Sequence, residues 1–179
     1  DVRMRDREPV YPQRRIVSEY RADHITPGIE PVRDAPAAID EQTKLAYGVA
    51  NVASDAIDAD RVDEFIAQGR AAEGYARVDK RFNDLANSAE EIEYVYAYKI
   101  LEDGCHVVFD ADTPETPGSE PGDIIEFDEA FMDRLPMLLA GGQIPPIQSN
   151  EKYGWLLTIY KPVYDSKGVC QCYAAVDYS

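Results

Sequence analysis

The chain has 179 residues, with 18 basic against 34 acidic groups and a formal net charge of −16 at pH 7. That length suits one domain with a sufficient core of its own. So acidic a chain opposes binding to nucleic acid or anionic lipid headgroups, and it holds no apolar run of about 18 residues that would span a membrane.

The imbalance is not even. Residues 1–34 carry seven basic and seven acidic groups, so the whole excess lies in 35–179. Pro9, Pro12, Pro27 and Pro31 interrupt this leader. Residues 1–36 are expected to be partly disordered or to form a short helix, for which Arg14 to His24 is the stretch free of proline. Residues 37–179 are expected to form one domain. A start at Asp1 without methionine or signal peptide reads as a fragment of a longer protein.

A long helix is predicted from Pro36 to Ile57, where Leu45, Val49, Val52, Ala53 and Ala56 recur near helical spacing. Alanine is frequent there and permits close helix contacts. A short helix follows from Arg61 to Gln68, with Asp60 as its expected cap and Gly69 as its stop. A third runs over 71–87, with Tyr75, Val78, Phe82 and Leu85 on one face.

The period then changes from 3.6 to 2. Ile92, Tyr94, Tyr96, Tyr98 and Ile100 are expected on one face of a strand, with Val95, Ala97 and Lys99 on the other. A turn at Glu102-Asp-Gly104 leads into a return strand. There Cys105, Val107, Phe109 and Ala111 are expected to face one way, and His106, Val108, Asp110 and Asp112 the other. Neither side is wholly polar, so both faces of the sheet should be covered. Residues 113–123 read as a surface loop, and 128–150 as a short helix followed by irregular chain. The last quarter is a second hairpin. Its strands flank Asp165-Ser-Lys-Gly168, where Gly168 supplies the left-handed position.

Cys105, Cys170 and Cys172 are odd in number, so at least one is unpaired within a monomer. Buried thiols, a disulfide from Cys105 to one of the others, and a soft-metal site are the three readings. In the last, Cys170 and Cys172 would share a strand face, but two ligands are too few for structural zinc. No Gly-x-Ser-x-Gly, His-Glu-x-x-His or glycine-rich phosphate loop occurs, so the residues support neither an enzyme nor a cofactor.

Three pieces of the chain together resemble the extracytoplasmic Cache family of sensor domains. They are Tyr94-Val-Tyr-Ala-Tyr98 with Asp103-Gly104; Val107-Val-Phe-Asp110-Ala-Asp112 with Pro121-Gly122; and Tyr153-Gly-Trp155 through Pro162-Val-Tyr-Asp165-Ser-Lys-Gly168 to Ala175-Val-Asp177. The resemblance covers about 37–179. It implies an α+β, PAS-like fold, a central antiparallel sheet with a long N-terminal helix and flanking helices. It implies a small-molecule-sensing domain of a membrane-bound signal transduction protein, with a dimer contact along the first helix. The arginine and Trp-Tyr set of the family's amino-acid-binding branch is missing here.

Candidate ligand contacts follow from strand positions facing the cover. Tyr94, Tyr96 and Tyr98 offer rings and hydroxyls, Trp155 a wall, and Lys161 a cation for a carboxylate. Asp110 and Asp112 offer paired oxygens for an ammonium or a hard cation. The resemblance adds Asp177 as an amine-binding carboxylate. The competing reading is a dimerisation or protein-interaction domain of the same fold. A closed pocket lined by Tyr94, Tyr96 and Trp155 would separate the two.

Overall fold

The computed structural model describes residues 35–114, 116–149 and 155–179. The expected leader disorder and its short helix lie outside these. Helix α1 spans Ala35–Ala56, α2 Val62–Gln68 and α3 Tyr75–Ala86. Strands β1 (Ile92–Leu101) and β2 (Gly104–Asp110) form the first hairpin, and β3 is the short Ile124–Ile125. Helix α4 (Leu135–Leu139) and β4 (Ile147–Ser149) precede the closing hairpin of β5 (Leu156–Tyr164) and β6 (Cys170–Tyr178). The architecture is α+β, one antiparallel sheet with flanking helices, as the resemblance implied.

All six strands join one antiparallel sheet in the order β3-β2-β1-β6-β5-β4. The two long hairpins therefore meet at the centre, where β1 pairs with β6. Asp165 fixes the closing turn: its Oδ1 accepts from the Lys167 and Val169 amides, both at 2.9 Å. These bonds, that from Val169 foremost, hold its carboxyl below the ordinary carboxylate range. Gly168 takes the left-handed φ of 78° that the turn requires.

Helices cover one face. Ala46, Ala50 and Ala53 bring α1 down on β5 and β6, since a methyl group allows close approach. Phe65 of α2 and Tyr75 and Phe82 of α3 pack around Phe109 at ring separations of 5.3, 4.6 and 5.3 Å. The Tyr75 hydroxyl donates to the Val108 carbonyl at 3.0 Å, so this face buries little unserved polarity. The second face carries Tyr96, Tyr98, Tyr160 and Tyr173 under α4 and the chain around it.

Some expectations need correction. Asp60 does not cap α2. Asp58 caps a preceding 3₁₀ turn by accepting from the Asp60 amide at 3.2 Å. Asp60 instead accepts from the Ser166 hydroxyl at 2.9 Å, tying the closing turn to the helices. Phe109 and Ala111 do not share a face with Cys105 and Val107. Tyr98 pairs with Val107 and Ala97 with Phe109, so Val108 is an extra residue in β2. One added residue turns everything after it to the opposite face. An irregularity between Ile92 and Tyr94 likewise sends Ile92 to the helix side.

The cysteines are all free. Cys172 lies in the helix-side core, whereas Cys170 packs on the other side, because the register shifts between Val163 and Tyr164. The pair therefore does not share a face. Cys105 stands on β2, with β1 between it and β6. Two strand spacings put it about 10 Å from either partner strand position, past the roughly 7 Å that a disulfide tolerates.

A candidate ligand site beneath the irregular cover

The site's centre is a buried carboxylate. Asp177 sits near the end of β6, opposite Tyr94 of β1 on one side and Thr158 of β5 on the other. Alternation turns all three toward the cover, since Val176 and Tyr178 belong to the helix side. Asp177 Oδ1 accepts from the Thr158 hydroxyl at 2.8 Å and the Tyr96 hydroxyl at 3.2 Å. Asp177 is 8% exposed and Thr158 5%. A carboxylate so deeply placed needs such donors, because burial without them costs several kcal/mol.

The next row along the sheet is Asp110, Tyr96, Ala175 and Tyr160, in register across β2, β1, β6 and β5. The Tyr96 and Tyr160 phenols lie close enough to influence each other's titration. Their rings meet edge to face at 6.1 Å, over the single small residue of that row. Tyr98 lies 4.5 Å from Tyr96, Tyr173 5.9 Å from Tyr160, and Phe131 of the cover 5.1 Å from Tyr160. Burial pushes the Tyr96 and Tyr160 phenols well up from their ordinary 10.0, and the charge of Asp177 adds to the shift. Both are neutral donors throughout the physiological range. Burial also raises the Cys105 thiol beside this cluster to about 12, so it is no nucleophile there.

Such a surface can bind a small organic molecule by its faces and by a hydrogen-bond donor. Tyrosine rings exclude water, and their hydroxyls can exchange one partner for another. A ligand ammonium or hydroxyl would complement Asp177.

The structure unites Tyr94, Tyr96, Tyr98 and Asp177 on one face, with Asp110 at the edge of the Tyr96 row, and sets Trp155 and Lys161 apart. Trp155 packs against the helix-side core. Lys161 is in register with Ala174 and shares the parity of Ile159 and Val163, all of that same core. Neither belongs with the tyrosine row. Asp110 Oδ2 accepts from the Ser119 amide and Asp112 Oδ1 from the Gly118 amide, each at 2.8 Å. They anchor the loop over 113–123, and a Cβ at Gly118 would meet the Asp110 carbonyl at 2.0 Å. Among the described residues, no group of three or more His, Cys, Asp or Glu could hold a metal ion. Thr158, Tyr160 and Tyr173 were missed by sequence reasoning. Their signal was present: Thr158 and Tyr160, and Tyr173 and Asp177, alternate along their strands with period 2.

No family model and no curated protein matches the chain. Among solved structures it is similar to the E. coli DcuS sensor domain, at 11% identity and a TM-score of 0.47. That alignment covers 78% of this chain and 90% of the other. It is also similar to an extracellular ligand binding receptor from Desulfohalobium retbaense, at 14% identity and a TM-score of 0.42. There the alignment covers 83% of this chain but 26% of the receptor.

Proposed function

We propose that this chain is the extracytoplasmic small-molecule-sensing domain of a membrane-anchored signalling protein of the Cache, PAS-like type. The observation that carries the proposal is the buried Asp177 carboxylate, held by Tyr96 and Thr158 within a tyrosine-lined face under a thin cover. Large buried rings and a shared acceptor suit recognition of a small organic cation or polyol better than catalysis. The ligand would change how cover and sheet pack, and a helix pair would carry that change onward. Helix α1 offers such a contact. Leu45 is 54% exposed and Val52 38%, seven residues apart, and a Cβ at the intervening Gly48 would meet open space.

A thermal-shift screen of the intact chain against amines, carboxylates, purines and divalent cations tests this. The expected result is a rise in melting temperature with at least one amine or hydroxylated compound. That rise is lost in Asp177→Asn, a variant of nearly the same shape. A flat response across all four classes sinks the sensor reading and leaves the interaction domain.

A further inference from the structure

The cover touches the sheet mainly through side chains. Strand β4 pairs with β5 only from Thr158 back to Leu156. Beyond that edge, the Gln143 side-chain Nε2 donates to the Tyr160 carbonyl at 2.7 Å, where a ladder bond would otherwise lie. The buried Tyr173 hydroxyl sits 3.0 Å from the Leu138 carbonyl and 2.9 Å from that of Gly142. It has one proton and two acceptors. The Tyr164 hydroxyl donates to the Gly141 carbonyl at 3.0 Å. Leu138 and Ile144 are the buried plugs, at 4% and 2% exposure, whereas Met137 and Leu139 stay half exposed.

Tyr160 links these anchors to the site. Its carbonyl holds Gln143, and its ring meets Phe131 and Tyr173 on one side and Tyr96, the donor to Asp177, on the other. We infer that residues 131–143 form a lid, latched to the sheet by Tyr173 and Gln143, which detaches and unravels as one unit while β4 stays paired, because the five-residue α4 cannot hold its own turn in water. As a route to Asp177 this rests on the sensing role above; the latch itself does not. The Tyr173 proton gives the lid two near-equal attachments. A ligand that displaces the Tyr160 ring would loosen the helix end of the latch first.

Native-state hydrogen exchange on the intact, ligand-free chain tests the latch. The amides of Ala140, Gly141 and Gly142 donate to the Pro136, Leu138 and Met137 carbonyls, respectively, within the lid. They are expected to exchange at one common rate, about ten-fold or more faster than the β1–β6 ladder. Tyr173→Phe should speed those three amides about five-fold, the effect of losing one net hydrogen bond, and leave the ladder unchanged. Gln143→Ala, at a half-buried position, should move the same amides and stands alone as the test if Tyr173→Phe does not fold. The latch is overturned if the lid amides open only with the ladder, or if both variants move lid and ladder alike. A failed ligand screen would end the sensing proposal without changing these rates, so the two failures are distinct.

Discussion

The two faces of the sheet use aromatic residues in opposite ways. On the helix side Phe65, Tyr75, Phe82 and Phe109 pack ring on ring, and the single phenol hydroxyl is absorbed by a backbone carbonyl. On the cover side Tyr96 turns its hydroxyl inward to Asp177, Tyr160 buries its phenol against Tyr96, and Tyr173 turns its hydroxyl to the lid. The first arrangement gains transfer and dispersion energy with little desolvation of polar groups. The second buries polar groups whose hydrogen bonds return only part of what desolvation costs. One face is therefore built to hold the fold, and the other keeps exchangeable partners where a ligand could enter.

Truncating each face gives the largest expected contrast. Phe109 is fully buried among three rings, so Phe109→Ala should cost about 3–5 kcal/mol in urea unfolding. Phe131 touches Tyr160 from the half-exposed lid, and Phe131→Ala should cost roughly half as much or less. Equal losses would erase the distinction between a structural and an exchangeable face.

Alkaline titration sharpens the same contrast. Burial raises the phenols of Tyr75, Tyr96, Tyr160 and Tyr173 above their ordinary 10.0. Above pH 10 the folded chain thus retains protons that the unfolded chain has lost. Stability is intact below pH 10 and falls as pH climbs beyond it, by about 1.4 kcal/mol per pH unit for each such tyrosine. Phenolate absorbance should rise first from exposed tyrosines and then, with loss of the folded signal, from these four. A single smooth titration centred on pH 10, with the fold intact, would mean the hydroxyls are wet.

The elements were legible because their periods are long and clean. Helix α1 keeps its alanines at helical spacing, and the run from Tyr94 to Tyr98 alternates without a break. Face assignments failed where a strand holds one residue too many. Nothing about Val108 as a residue type marks it as a bulge, yet it turns Phe109 into the helix-side core. The site was half legible. Tyr94 and Asp177 could each be named, but their adjacency depends on β1 pairing with β6, a contact between strands some eighty residues apart that no local pattern encodes. Trp155 and Lys161 drew notice by type, and parity with Leu157 and Ile159 would have placed them on the other face.

The smallest effect probes the carboxylate itself. Thr158→Val is isosteric and Tyr96→Phe nearly so, and each removes one O–H donor from Asp177 Oδ1. Each alone should cost about 1 kcal/mol in urea unfolding, since the remaining hydroxyl still serves that oxygen. Together they remove both of these donors from one buried oxygen, so the double variant should exceed the sum by roughly 0.5–3 kcal/mol. Repeating the cycle on Asp177→Asn should shrink that excess, because a neutral amide asks less of its donors. Additivity within about 0.5 kcal/mol in the acidic parent would mean the two hydroxyls do not jointly hold this carboxylate, and the cover face would lose the feature that sets it apart from the helix face.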